Sequence, residues 1–332
     1  MARSTHTIPS PHGARFSIPV SVTDDIDPAF QFHELDAARD YYDDQSYVVF
    51  RGLVPEDTCD AARATFAEDV KPYPGFLYRQ ATARAQRHVF TAAGHMLNSL
   101  INIQDNRRPR LLGFREAVMV ALTHERLTQA ADALLGERGT IVQTMYFEGN
   151  PVTWAHQDSY YLDAETPGRM TAAWVALEDI HPGAGRFFVY PKSHEVKDAP
   201  SDGPMDVAYN HDRYKAWVLA LIEANSLECR APAMAKGDVL FWNSRTIHGS
   251  LETTEAQASR NSLTAHIIPQ SQRFLQLRSR IRPLRLKSIN GVRVHHPKDQ
   301  EQLVNRLIFA FECHCPWLAY TMKDIAVKLL TR

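Results

Sequence analysis

The chain has 332 residues, 44% of them hydrophobic and 23% charged, with a formal net charge of −1. This is the composition of a globular protein with ample material for a core. It carries no charge excess to attract nucleic acid or an anionic membrane, and no apolar run reaches the roughly 18 residues of a membrane span.

Residues 1–14 are rich in Ser, Thr, Pro and His and read as a loose arm without the apolar stretch of a secretory signal. FSIPVSVTD (16–24) alternates like an edge strand, with Pro19 keeping it off a sheet centre. HELDAARDYYDD (33–44) predicts a short helix and YVVFRGLV (47–54) a β-branched strand. Pro55 then opens a helix over EDTCDAARATFAEDV, since proline suits a first helical turn. Residues 72–110 read as loop with a helical piece around HMLNSLINI (95–103). FREAVMVALTHERLTQAADALLG (114–136) has helical apolar spacing and stops at Gly136.

The texture changes after Gly136. TIVQTMYFEG, RMTAAWVALEDI, GRFFVYPKS, GDVLFWN and RNSLTAHIIP are short apolar or alternating runs punctuated by Gly, Pro and Asn. They predict a β barrel or sandwich over 140–270. A helical segment, YNHDRYKAWVLALIEAN (209–225), lies inside an insertion spanning 195–235, and residues 300–332 read as C-terminal helices. The whole chain, 1–332, reads as one domain, mainly β with flanking helices. Cys59, Cys229, Cys313 and Cys315 are scattered, imply no disulfide framework and fit a reducing cytoplasm.

WAHQDSYYL places His156 and Asp158 two apart, so on a strand both face one side. His248, in FWNSRTIHGS, follows another apolar strand and is the candidate third ligand. Two histidines and one carboxylate leave positions open on a metal, the arrangement used for O₂ chemistry at Fe(II). An isolated His-x-Asp is frequent by chance, so the flanking sequence has to carry the weight. Arg260, Ser262 and Thr264 share one strand face. An arginine inside a β core needs an anionic partner, and its fork suits a carboxylate. The far carboxylate of an iron-chelating 2-oxoglutarate is a candidate, with Arg245 as the fallback residue. His181, His194 and the Cys-His-Cys run at 313–315 lack ligand spacing and are set aside. Arg79, His88, His95 and Asn98, together with the pair His295 and His296, are expected at the surface.

These residues resemble the phytanoyl-CoA dioxygenase-like Fe(II)/2-oxoglutarate oxygenases over roughly 45–270. Five segments match in order: YVVFRGLVPEDTC, WAHQDSYYL, TAAWVALEDI with GAGRFFVYPKSH, GDVLFWNSRTIHGS and RNSLTAHIIP. The resemblance implies a double-stranded β-helix, a cupin-like jelly roll, braced by α-helices. It implies that His156, Asp158 and His248 bind iron and that Arg260 grips 2-oxoglutarate. Gln157, Trp174 and Ser262 match positions lining the cosubstrate pocket. Arg260 lies twelve residues after His248, where eleven is more usual in the family. The carboxylate of Asp158 implies oxygenation and not halogenation, because related halogenases have a small residue there. The implied reaction is hydroxylation of a small-molecule C–H bond, with 2-oxoglutarate and O₂ consumed and succinate and CO₂ released. Desaturation, demethylation, ring formation and a catalytically silent cupin-like binding protein are the alternatives. The stretches 72–110 and 195–235 are expected to cap the substrate, and one of Tyr160 and Tyr161 to face the pocket.

Overall fold

The computed structural model describes residues 3–11, 13–196, 211–276 and 280–330. Its core strands are β1 (Tyr47–Phe50), β2 (Gly139–Phe147), β3 (Thr171–Ala176), β4 (Phe187–Tyr190), β5 (Val239–Asn243), β6 (Ile247–Ser250), β7 (Ser262–Pro269) and β8 (Val292–His295). In the large sheet they run in the order β8-β2-β7-β3-β5-β1. The pairs from β2 to β1 are antiparallel, and β8 joins β2 in parallel.

Strand alternation sorts the large sheet into two buried faces. On the outer face Phe50, Val175, Phe241, Leu263 and Ile267 pack under the helices α1 (Leu35–Gln45), α2 (Glu56–Thr65), α3 (Leu112–Leu122) and α4 (Glu125–Leu135). On the inner face Tyr47, Trp174, Leu240 and Trp242 meet Phe187 and Val189 of β4, which pairs with β6 to form a second, smaller sheet. Burial on both faces explains why the strands read as continuous apolar runs. The result is the expected jelly-roll core braced by helices, with two facing sheets and no closed barrel among the described residues.

Local chemistry sets the boundaries. Ser46 and Gly136 end α1 and α4 in the left-handed conformation, at φ 66° and 73°. The single run predicted over 114–136 is two helices. The Thr123 hydroxyl and amide both bond to the Met119 carbonyl, and His124 turns extended at ψ 136° before α4 begins. The apolar period carries through the break because both helices pack on the same sheet face.

Other expectations are corrected. The arm at 1–14 is one strand of a hairpin, Thr5–Pro9 against Arg15–Pro19. Ile8 and Ile18 are buried, and the Arg186 guanidinium donates to the Pro19 and Val20 carbonyls. The stretch 95–103 is not an α-helix: Met96 bridges Phe90, Leu100–Ile101 is a strand, and only Ile103 opens a 3₁₀ turn. Leu100–Ile101 pairs with β2, and the Met96 amide donates to the Glu148 carboxylate, so edge pairing overrides local helical preference. Arg79, His295 and His296 are buried and not at the surface, with His296 Nδ1 3.0 Å from Asp105. The strand Leu286–Ile289 was not anticipated. It turns into β8 through Asn290-Gly291, both at positive φ, a two-residue hairpin signal present in the sequence. Of the insertion 195–235, residues 197–210 lie outside the described residues, and α5 (His211–Ala224) is the expected helix.

Gly237 sits where the chain permits no side chain. Its φ is +86°, its amide donates to Ala176 O, and its carbonyl accepts from Val54 N. An added Cβ would meet Val54 O at 2.3 Å. Gly237→Ala is therefore expected to destabilise the fold by on the order of 1–3 kcal/mol, read as a lowered midpoint in urea denaturation.

Candidate metal centre

His156 and His248 face each other across an antiparallel bridge between the β6 segment and the chain before β3. They exchange both backbone hydrogen bonds, at 3.0 and 2.9 Å, and their rings lie 4.3 Å apart. Asp158 departs from the expected strand. Gln157 is extended, but Asp158 opens a 3₁₀ turn, Asp158–Tyr160. That turn is pinned by Ser159 N donating to Ser244 O, in the loop just before His248.

The ligand atoms of these three side chains lie within 4.8 Å of one another, and no other such group of His, Cys, Asp or Glu occurs among the described residues. Each imidazole is oriented by its far nitrogen. His156 Nδ1 is 2.9 Å from Trp154 O, and His248 Nδ1 is 2.9 Å from Thr246 O. These carbonyls hold the proton on Nδ1 and turn both Nε2 lone pairs inward. Asp158 Oδ1 lies 3.7 Å from His156 Nε2 and 3.6 Å from His248 Nε2. This donor set suits one divalent ion of the iron type and leaves coordination positions free.

The other carboxylate oxygen has different partners. Trp242 Nε1 donates to Asp158 Oδ2 at 2.8 Å, and His266 Nε2 lies 3.2 Å from it. Both come from the large sheet. Trp242 on β5 and His266 on β7 stand on either side of Ala172 on β3 in one cross-strand row. The small alanine leaves space between the two rings for the carboxylate. Burial pushes the Asp158 carboxyl up, but the neighbouring His248 and His266 outweigh it and hold Asp158 well below the usual carboxylate range. Burial also pushes His248 down, to about 3, so the ring is neutral and its lone pair available.

The triad lies in one cavity with Arg260, Trp174, Phe187, Phe147 and Thr264. Arg260 is buried. Its Nη1 donates to Gly185 O at 3.0 Å and its Cζ lies 5.5 Å from the Phe147 ring, while Nε has no hydrogen-bond partner. Burial lowers its pKa to about 10. An orphaned donor on a buried cation fits an anionic ligand in this cavity. Trp174 lines the wall, and Arg245 does not. Gln157 and Ser262 also stand off it. The Gln157 amide donates to Arg245 O at 2.6 Å, and the Ser262 hydroxyl donates to Arg260 O at 3.2 Å. Tyr160 stacks on Tyr214 at 3.6 Å, and Tyr161 is the neighbour of His156, at 5.9 Å between rings.

His266 and Trp242 were missed in the sequence. The signal for His266 was present, because it extends the Arg260, Ser262, Thr264 face by two more residues. Trp242→Phe keeps the ring and removes the N–H that fixes Asp158. It is expected to weaken binding of Fe(II), or of Co(II) as a probe, by about 10-fold, the lower end for a lost supporting hydrogen bond, measured by anaerobic calorimetry.

Residues 42–262 match the family model described as phytanoyl-CoA dioxygenase. The chain is 23% identical over 234 residues to the peroxisomal phytanoyl-CoA dioxygenase of Mus musculus, covering 69% of this chain and 66% of that protein. It is 29% identical over 175 residues to the mouse phytanoyl-CoA dioxygenase domain-containing protein 1, covering 49% and 57%. The matches thus span less than two thirds of each curated relative's length. Among solved structures, the non-heme α-ketoglutarate-dependent carbocyclase SnoK from nogalamycin biosynthesis superposes with a TM-score of 0.54 at 18% identity, over 75% of this chain and 90% of that one. EctD from S. alaskensis, solved with 2-oxoglutarate and 5-hydroxyectoine, gives 0.53 at 18% identity, over 74% and 80%. These structures share the fold. The chain belongs to the phytanoyl-CoA dioxygenase family.

Proposed function

We propose that this chain is an Fe(II)/2-oxoglutarate-dependent oxygenase that hydroxylates an unactivated C–H bond of a small molecule, a metabolite or natural-product intermediate. The observation that carries the reading is Arg260, a buried guanidinium with an unpartnered Nε in the same cavity as the His156, Asp158 and His248 ligand atoms. A catalytically silent binding protein has no need to keep both.

In this reading His156 Nε2, Asp158 Oδ1 and His248 Nε2 hold the metal. The bound iron and keto acid supply the oxidising chemistry, with the keto acid decarboxylated to succinate and CO₂. The remaining work is done by the chain. Arg260 donates through Nε and its free terminal nitrogen to the distant carboxylate of the cosubstrate. Ser262, through its bond to the Arg260 carbonyl, holds that residue's backbone. Gln157 ties the ligand turn to the Arg245 carbonyl, so its part is positioning and not lining. Trp174, Phe187 and Phe147 wall the cavity and exclude water. The carboxylate at Asp158 supports oxygenation over halogenation. Among the described residues of the lining, Arg260 and Asp158 are the only guanidinium or carboxylate groups, which favours a small, largely neutral reacting portion of the substrate. Four free cysteines agree with a reducing, cytoplasmic setting.

Anaerobically prepared protein given Fe(II), 2-oxoglutarate and ascorbate is expected to form succinate on exposure to air, with ¹⁸O from ¹⁸O₂ entering the hydroxylated product once a substrate is supplied. Lack of iron-dependent 2-oxoglutarate binding, read as a missing metal-to-ligand absorbance, would refute the assignment. Arg260→Met should weaken 2-oxoglutarate binding by at least about 30-fold, because removing one partner of a buried charge pair costs roughly 2 kcal/mol or more. Unchanged affinity removes Arg260 from this role.

A further inference from the structure

The C-terminal helices α6 (Leu303–His314) and α7 (Pro316–Leu330) have one seam docked and one bare. On the docked side Phe309 packs edge-on against Tyr78, with ring centres 5.1 Å apart. Tyr320 Oη accepts from Ala85 N at 2.6 Å, and Arg84 pairs with Asp324 at 2.9 Å. The other side is apolar and open. Val304, Leu307, Ile308 and Phe311 on α6 are spaced i, i+3, i+4, i+7. Leu318, Met322 and Ile325 repeat i, i+4, i+7 on α7, next to Trp317. These eight side chains are 38–80% exposed, Trp317 the most.

Such a seam is unusual for a lone soluble chain. At ordinary side-chain sizes it exposes about 900 Å², above the largest apolar patch of a typical monomer, roughly 300–600 Å². It also matches the roughly 800 Å² that each partner contributes to a stable protein interface. The 3-4 spacing is that of helices meeting helices. Charge speaks against a lipid surface. Over 303–330 Arg306, Lys323 and Lys328 stand against Glu312 and Asp324, a net of one positive charge, whereas membrane-binding helices carry a larger excess of Lys and Arg on the polar face.

We propose that the α6–α7 hairpin is the interface through which two copies of this chain pair, each contributing two helices to a four-helix bundle. A two-fold pairing lets one self-complementary patch cover itself, the commonest closed arrangement. The interface lies behind residues 77–86, the segment that leads to Gln80 on the cavity wall, so pairing braces that wall without entering it.

Sedimentation velocity of the full chain over a concentration series is expected to give a species of twice the 37.6 kDa chain mass. The double variant Leu307→Glu, Met322→Glu places charges in the bare seam at exposed positions. It should retain its circular dichroism spectrum and iron-dependent 2-oxoglutarate binding while dimerising at least ~100-fold more weakly. Hydrogen exchange of the 303–325 amides in the unmodified chain should slow as concentration rises. A monomer at every concentration, dimerisation indifferent to the two substitutions, or concentration-independent exchange each overturns the proposal. Adsorption of the unmodified chain to phosphatidylcholine–phosphatidylglycerol vesicles in place of self-association overturns it in favour of a membrane surface.

Discussion

Asp158 carries a buried negative charge whose two oxygens face different halves of the molecule. Oδ1 turns toward the Nε2 atoms of His156 and His248, which come from the small sheet and its bridge. Oδ2 takes the Trp242 N–H and lies beside His266, both on the large sheet. A carboxylate out of water is expensive unless its lone pairs are satisfied. Meeting that requirement ties the two sheets together at one point. The same division assigns the oxygens their tasks. The oxygen already committed to Trp242 is fixed in direction, which fixes the other toward the ligand histidines. The 3₁₀ turn at Asp158–Tyr160 follows from this constraint. Asp158 reaches between Trp242 and His266 from that turn, not from a continuing strand.

Three arginines are buried among the described residues, and comparing them identifies the one with an unfinished environment. Arg79 donates to the Gln86 and Asn98 carbonyls and approaches the Met96 sulfur. Arg186 donates to the carbonyls of Pro19, Val20 and Ile180. Both guanidiniums serve as multi-pronged ties between loops. Arg260 has one carbonyl, from Gly185, and an unpartnered Nε. Gly185 is suited to that contact. At φ +80° it has no room for a side chain, because a Cβ would fall 1.9 Å from Asn150 Nδ2. The backbone therefore approaches the arginine closely, while the rest of the guanidinium faces the cavity. All three are desolvated, so burial alone does not set Arg260 apart. The missing acceptors do.

Much of this was legible in the sequence because sheet chemistry is periodic. The inner face of β7 reads directly from Arg260, Ser262, Thr264 and, one step on, His266. The helix ends at Ser46 and Gly136 follow from local backbone preference, although only Gly136 was a visible stop signal. What was not legible depended on partners far along the chain. The segment 95–103 has helical composition, yet it forms no α-helix because Glu148 and β2 claim its backbone. The N-terminal arm is ordered because Arg186 lies 167 positions from Pro19 and still reaches its carbonyl. Gln157 is a ligand-flanking residue by sequence, but an extended backbone at 157 turns its side chain opposite to its neighbours. Alternation alone thus argues against a wall position for Gln157 once His156 and Asp158 are assigned inward.

The insertion before β5 is bound directly to the turn that carries Asp158. Within it α5 is anchored to the backbone between His156 and Asp158. The Gln157 amide donates to the Tyr214 hydroxyl at 3.0 Å, and that hydroxyl lies 3.3 Å from the Gln157 carbonyl. The Tyr214 ring stacks on Tyr160, two residues past Asp158, with the planes 5° apart. One side chain therefore grips the backbone between His156 and Asp158 and the ring that follows them. Next to it, His211 at the start of α5 bonds Tyr161 Oη at 2.7 Å, and Tyr161 stands beside His156. A helix held this way cannot swing clear without disturbing the ligand turn. On the 72–110 side Gln80 meets the cavity with no such tie to the ligand turn among the described residues. Tyr214 and His211 thus make α5 part of the scaffold that holds the turn at Asp158–Tyr160.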